Sequence, residues 1–126
     1  MSETVRFVVL GEPRPKPRPR FGNHGRAYTP RAARASETIV KWEALRAMTG
    51  RALLVGPVRV TLRFYVGNAR RVDVDNLAKL TLDALNGTVW RDDSQIAALT
   101  TVKTIDRECP RTEILVEPAA FEAAAA

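Results

Sequence analysis

Short carboxylic acids are concentrated in one stretch of this chain. Five of its six aspartates lie between Asp73 and Asp93, although the whole protein carries a formal net charge of +6. Carboxylates held close together repel one another unless a cation lies between them. Asp73 and Asp75 are two residues apart, and in extended chain that spacing puts both side chains on the same face. Because Mg²⁺ and Mn²⁺ prefer carboxylate oxygens and water as ligands, the spacing indicates a divalent metal site.

Two further groups could complete such a site. The Asp92–Asp93 pair follows the helix predicted after Asp75, and it could supply a third carboxylate. Lys79 lies four residues after Asp75 on the same helix face, where it could steady a phosphate or position the attacking water. Carboxylates, a metal ion and a lysine are together the parts of metal-dependent phosphodiester hydrolysis.

A purely structural interpretation of the same residues is available. Asp75 is a good candidate for the N-cap of the helix, and Asp75, Lys79 and Asp83 have the i, i+4, i+8 spacing of a salt-bridge ladder. Asp92–Asp93 could simply form a turn. Asp73 is needed for neither the cap nor the ladder, and this favours the metal site.

The basic residues are distributed unevenly. Residues 1–51 carry 11 Lys/Arg and 4 Glu, a balance of +7, whereas residues 52–126 carry 9 Lys/Arg and 10 Asp/Glu, a balance of −1. A basic half joined to an acid-bearing half suggests a polyanionic partner, although an unspecialised basic surface would give the same counts. The residues expected to contact DNA are Lys16, Arg18, Arg20, Arg59, Arg63, Arg70 and Arg71.

The hydrophobic pattern predicts the elements that position these residues. Apolar, β-branched or alternating runs indicate strands at 5–10, 56–67, 94–104 and 111–118. Amphipathic segments indicate helices at 29–50 and 74–87, the second ending at Asn86-Gly87. The order β-α-β-α-β-β predicts the α+β class, with a small mixed β-sheet and two helices packed on it.

The sequence gives more detail on the helix predicted at 29–50 and on the segment that precedes it. In the helix, Thr29 can act as the cap, and Ile39, Trp42, Leu45 and Met48 recur on one face. Residues 11–28 contain four prolines and five Lys/Arg, so we expect an ordered basic loop or a mobile arm there rather than a regular element.

The length of the chain predicts the number of domains, and its few cysteine and histidine residues exclude some kinds of site. One domain is expected over residues 1–118, followed by a flexible tail at 119–126. The single cysteine, Cys109, excludes an internal disulfide, and with one histidine, His24, a histidine-rich metal site is excluded as well. His24 is more readily explained as an ordinary surface residue than as a general base. Trp90 is more readily explained as a residue of the core or of a dimer interface than as one that stacks on a DNA base. No apolar run approaches a membrane span, and the start lacks the pattern of a signal peptide. Together with the single cysteine, this predicts a protein of the reducing cytoplasm.

Three segments resemble the core signature of a known family. D-V-D-N-L-A-K, then L-D-A-L-N-G, then V-W-R-D-D-S-Q-I are similar to the RusA family of Holliday-junction resolvases, which are small, often prophage-borne endodeoxyribonucleases. The basic G-E-P-R-P-K-P-R-P-R-F followed by A-Y-T-P is similar to the amino-terminal segment of many phage-type members. The resemblance covers roughly residues 5 to 117, nearly the whole chain.

This resemblance implies a homodimeric enzyme of DNA recombination and repair that makes paired nicks in four-way DNA junctions. It also implies that the enzyme depends on Mg²⁺, with Mn²⁺ as a substitute metal, and that it needs no small-molecule cofactor. The essential acids of the family fall on Asp73, Asp75 and Asp93, and its essential lysine falls on Lys79. Asp92 matches the first acid of the D-D pair, and it is expected to join the metal site. Two alternatives stay open: a nuclease acting on forks or flaps, and a non-catalytic module that only binds nucleic acid.

Overall fold

The computed structural model describes residues 3–17, 20–21, 27–28, 31–68 and 71–125. The long strands are β1 Val5–Leu10, β4 Val58–Val66, β5 Ile96–Ile105 and β6 Arg111–Pro118; the helices are α1 Arg31–Ala47, α2 Val74–Leu85 and a short 3-10 helix, Asp93–Gln95. The four strands form one sheet in the order β1-β6-β4-β5, and α1 and α2 pack on one of its faces. The predicted α+β class is confirmed, and the predicted order of the long elements agrees with it.

The basic segment contains a regular element that the sequence did not predict. Two short strands, β2 Arg20–Phe21 and β3 Ala27–Tyr28, pair with each other in antiparallel register. The expectation of no regular element over 11–28 was therefore wrong. The four prolines of this segment all precede residue 20, so the backbone N–H groups from 20 to 28 remain able to form strand hydrogen bonds.

Strand β4 is the centre of the fold and alternates as its sequence predicts. Val58, Val60, Leu62, Phe64 and Val66 are all buried on the helix side. β4 pairs with β6 in antiparallel register and with β5 in parallel register. A parallel pair needs a crossover connection, and α2 is that crossover. As a result α2 begins at the carboxyl end of β4 and ends near the amino end of β5.

Helix α1 buries a different set of residues from the apolar stripe that its sequence suggests. Of that stripe only Met48 is buried, whereas Ile39, Trp42 and Leu45 are 54%, 67% and 52% exposed. The helix itself contacts the core through small or β-branched residues, namely Ala33, Val40 and Ala44, and the buried Met48 directly follows its last residue. Small side chains allow a helix to approach a sheet closely. This close approach, and not the size of the apolar side chains, determines which residues of α1 are buried.

The burial of Trp90 and the end of α2 agree with the predictions from sequence. The indole of Trp90 is completely buried in the core, as its interpretation as a core residue anticipated. Helix α2 ends where Asn86-Gly87 predicted, and Gly87 has a φ of 77°, a conformation that favours glycine. Residues 121–125 are exposed and form neither helix nor strand. No helix in the described part of the chain has the length and apolar character needed to cross a membrane.

Candidate active site

The first two aspartates lie at the start of α2. Asp73 is the N-cap residue, and its backbone carbonyl accepts hydrogen bonds from Asn76 and Leu77, but its carboxylate forms no capping bond. Asp75 lies in the first turn, where its carboxylate accepts a 3.0 Å bond from the backbone N–H of Asn76. Both side chains are exposed. The alternative in which Asp75 caps the helix is wrong, and the Asp73 carboxylate remains available to a ligand.

The other two aspartates have structural partners at the far end of α2. The Asp92 carboxylate accepts a 2.9 Å bond from the Ser94 N–H, and Gln95 completes a capping box around the 3-10 helix. These bonds from Ser94 hold the pKa of Asp92 below its ordinary value. Asp93 accepts a 2.9 Å bond from the indole N–H of buried Trp90.

The two aspartate pairs are far apart within one chain. Helix α2 separates them, and its 12 residues span about 18 Å at 1.5 Å per residue. The strand register agrees, because Val58 at the start of β4 pairs with Ile96, which directly follows the 3-10 helix. Within the described ranges, no three His, Cys, Asp or Glu side chains are grouped so that they could hold a metal ion. One chain therefore brings the predicted ligands together only in pairs, Asp73 with Asp75 at the start of α2 and Asp92 with Asp93 beyond its end.

An acid pair of this kind suits a partly hydrated magnesium ion. Mg²⁺ keeps several water ligands in proteins and is commonly bound through one or two carboxylates together with substrate phosphates. Asp73 and Asp75 supply two exposed carboxylates at a helix N-terminus, with no ammonium or guanidinium group among the described residues paired to either. The residues present therefore fit part of a magnesium site.

Lys79 is paired away from Asp75. Its ammonium lies 3.2 Å from a carboxylate oxygen of Asp83, one turn further along α2. The second oxygen of Asp83 lies 3.2 Å from the Lys16 ammonium, which also contacts Glu37 of α1 at 2.7 Å. The salt-bridge ladder anticipated on α2 thus forms only in its second half.

The basic residues expected to contact DNA occupy different surroundings. Lys16 is matched by two carboxylates, and its backbone N–H donates a 2.8 Å bond to the Asn76 carbonyl. Arg59 and Arg63 are exposed on the face of the sheet opposite the helices, and Arg71 is exposed two residues before Asp73. Arg18, Arg70 and the side chain of Arg20 lie outside the described residues. Their contacts with DNA remain predictions.

Two residues near the acid pair were missed from sequence. Lys103 on β5 donates a 2.8 Å bond to the Val72 carbonyl, directly before Asp73. Its position opposite Phe64 in the strand register places it on the helix side, which alternation along β5 could have revealed. Glu12 accepts two bonds from the Gly67 N–H, at 2.8 and 2.9 Å, and so holds the start of the basic segment beside the end of β4. No sequence signal pointed to that contact.

An exposed carboxylate pair at the end of a small mixed sheet, in a basic chain, is typical of metal-dependent nucleases acting on nucleic acid. Residues 11–117 match the family described as Endodeoxyribonuclease RusA, and the chain belongs to that family. This confirms the resemblance, and it makes the protein an endodeoxyribonuclease by family. The chain is also 28% identical to the "Uncharacterized protein YqaN" of Bacillus subtilis (strain 168), over 90% of this chain and 96% of that protein.

Proposed function

We propose that this protein is a Mg²⁺-dependent homodimeric endonuclease that resolves four-way DNA junctions by paired nicks. The observation that supports this most directly is the exposed Asp73–Asp75 pair at the start of α2, in a chain that matches the RusA family over residues 11–117. A bound Mg²⁺ would supply an activated water and neutralise charge on the phosphate. Asp73 and Asp75 would hold that ion, and Lys79 would contact the phosphate after leaving Asp83.

The separation of the acid pairs supports a site shared between two copies. Asp93 of the same chain lies beyond the far end of α2, and the length of that helix, about 18 Å, separates it from Asp73 and Asp75. Two copies related by a two-fold axis can place their α2 helices side by side and antiparallel. The start of one helix then lies beside the end of the other, and Asp93 of each copy faces the acid pair of its partner. Such a dimer has two sites for the two strands of a symmetric junction.

The flank of α2 that is free to meet a second copy lies over β5. Helix α1 packs on the opposite flank of α2, and it also packs against β1 at the other edge of the sheet. On the helix side of β5, Leu99 and Ile105 are 44% and 54% exposed. A second copy seated there would cover apolar surface that one chain leaves in water. We therefore place the interface at β5.

A panel of branched substrates tests the reaction. Labelled four-way, three-way, flap and linear DNA should be incubated with the protein in Mg²⁺ and in chelator. We expect Mg²⁺-dependent, paired nicks in the four-way junction, and cleavage lowered on the order of a thousandfold by Asp75→Asn. Glu108→Gln, which removes one exposed carboxylate between β5 and β6, is the matched control and should cut normally.

Each alternative function predicts a distinct result in the same panel. Equal or faster cutting of flaps and three-way forks would replace junction resolution by a broader branched-DNA nuclease activity. Binding that is indifferent to Mg²⁺, with no cleavage of any substrate, would mean a non-catalytic nucleic-acid binding module.

A further inference from the structure

Lys79 stands between two aspartates at equal sequence distance. Asp75 precedes it by four residues and Asp83 follows it by four, and both positions lie on the same stripe of α2. The i, i+4 pair with the acid on the N-terminal side is the intrinsically better orientation in helices. On helix geometry alone Lys79 should therefore favour Asp75. In the structure it contacts Asp83 instead, at 3.2 Å.

Contacts from outside α2 explain this choice, because they fix Asp83 in place. One Asp83 oxygen lies 3.2 Å from the Lys16 ammonium, which leaves the other oxygen directed to Lys79. Lys16 is itself held by Glu37 of α1 at 2.7 Å and by its backbone bond to Asn76. The Asp83 side chain is only 26% exposed, against 64% for Lys79. A fixed carboxylate gives Lys79 a partner that requires no further ordering of the acid.

We propose that Asp83 keeps the Asp73–Asp75 carboxylates open to a divalent cation by holding the Lys79 ammonium one turn away from them. If Asp83 loses its charge, Lys79 can turn back to Asp75 and neutralise a carboxylate that the cation needs. Asp83 is thus a positioning residue that acts through Lys79. The inference rests on the proposed metal site, and it assigns a role to Asp83, the one aspartate of the stretch to which the family resemblance gave none.

Cation binding without DNA tests this role directly. Mn²⁺ is the probe, and its affinity for the full chain is measured by titration calorimetry and by the electron paramagnetic resonance signal of free Mn²⁺. Asp83→Asn should weaken Mn²⁺ binding on the order of threefold, since the competing ion pair is a weak one. Asp83→Glu retains the charge and should restore most of the affinity. Glu43→Gln, which removes a carboxylate whose one ion pair among the described residues is with Arg46 on α1, should leave it unchanged.

The decisive comparison repeats Asp83→Asn in a Lys79→Gln background. Our proposal predicts that Asp83→Asn no longer weakens Mn²⁺ binding there, because no ammonium remains to compete for Asp75. An equal loss of Mn²⁺ affinity in both backgrounds would mean that Asp83 acts only as a distant negative charge. No loss in either background would mean that Asp83 does not act on the site. Each of these two results would overturn the proposal. Wild-type protein that binds Mn²⁺ but cuts no junction would refute the proposed function while leaving this test intact.

Discussion

The bond between Asp93 and Trp90 allows the structural and the catalytic role of Asp93 to be separated. The Trp90 indole is completely buried, and its N–H donates a 2.9 Å bond to the Asp93 carboxylate. Asp93→Ala removes the acceptor and leaves a buried donor unsatisfied, which costs about 1–3 kcal/mol. With an unfolding entropy of about 2.1 cal/mol/K per residue, this 126-residue chain should lose about 4–11 °C in Tm. Asp93→Asn keeps an acceptor oxygen, so its free energy of unfolding should fall by less than about 1 kcal/mol.

Both variants should nevertheless fail to cut junctions, because each removes the carboxylate charge that a metal ion needs. The assay pairs thermal unfolding, followed by circular dichroism, with Mg²⁺-dependent nicking at a temperature where all variants are folded. Wild-type nicking by Asp93→Asn would show that Asp93 serves only Trp90. Equal destabilisation by the two substitutions would show that the bond to the indole is not what Asp93 contributes to stability.

Three further predictions follow from the interface, the capping box and the basic segment. Leu99→Glu should dissociate the dimer in light scattering, whereas Trp42→Glu on α1 should not; the opposite result would move the interface to α1. Bonds from Ser94 lower the pKa of Asp92 in the folded protein below its value in the unfolded chain, which is near 4. The stabilisation by ionised Asp92 is therefore present at a pH above the unfolded pKa, and it is lost as the pH falls through the folded pKa. The Tm difference between wild type and Asp92→Asn should therefore be present at pH 7 and shrink as the solution is acidified through the lowered pKa of Asp92, and a difference that grows in acid would contradict the capping role. Arg18→Ala should reduce the log–log salt slope of junction binding by about 0.9, and an unchanged slope would mean that the residue does not contact phosphate.

The strands could be predicted well from the sequence. Alternation of apolar and polar residues along a central strand determines which of its side chains are buried. Val58 to Val66 alternate without exception, and a one-residue shift would expose the whole buried set. Burial on α1 could not be predicted in the same way. The large apolar residues of that helix point away from the core, since close packing there selects Ala33 and Ala44. Hydrophobic size alone does not indicate which face a helix buries.

The arrangement of the predicted site residues could be anticipated from the sequence only in part. The motif placed Asp73 and Asp75 together, and the start of α2 brings them to one end of the sheet. The same motif suggested that Asp93 would join them, but a parallel crossover must carry the chain back to the opposite end before β5 begins. Partners supplied by distant segments, such as Lys16 for Asp83, depend on tertiary packing that no local pattern encodes.

Subunit complementation tests most directly whether this is a dimeric nuclease with a metal site shared between copies. Chains carrying Asp75→Asn and Asp93→Asn are co-expressed with different affinity tags, and the heterodimer is purified through both. If each site combines residues of two copies, one site of the heterodimer carries both substitutions and the other carries neither. The heterodimer should then nick one strand of a four-way junction in Mg²⁺ without making the paired second cut, while both homodimers remain inactive. A heterodimer that binds the junction but makes no nick, beside active wild-type protein, would contradict the shared site.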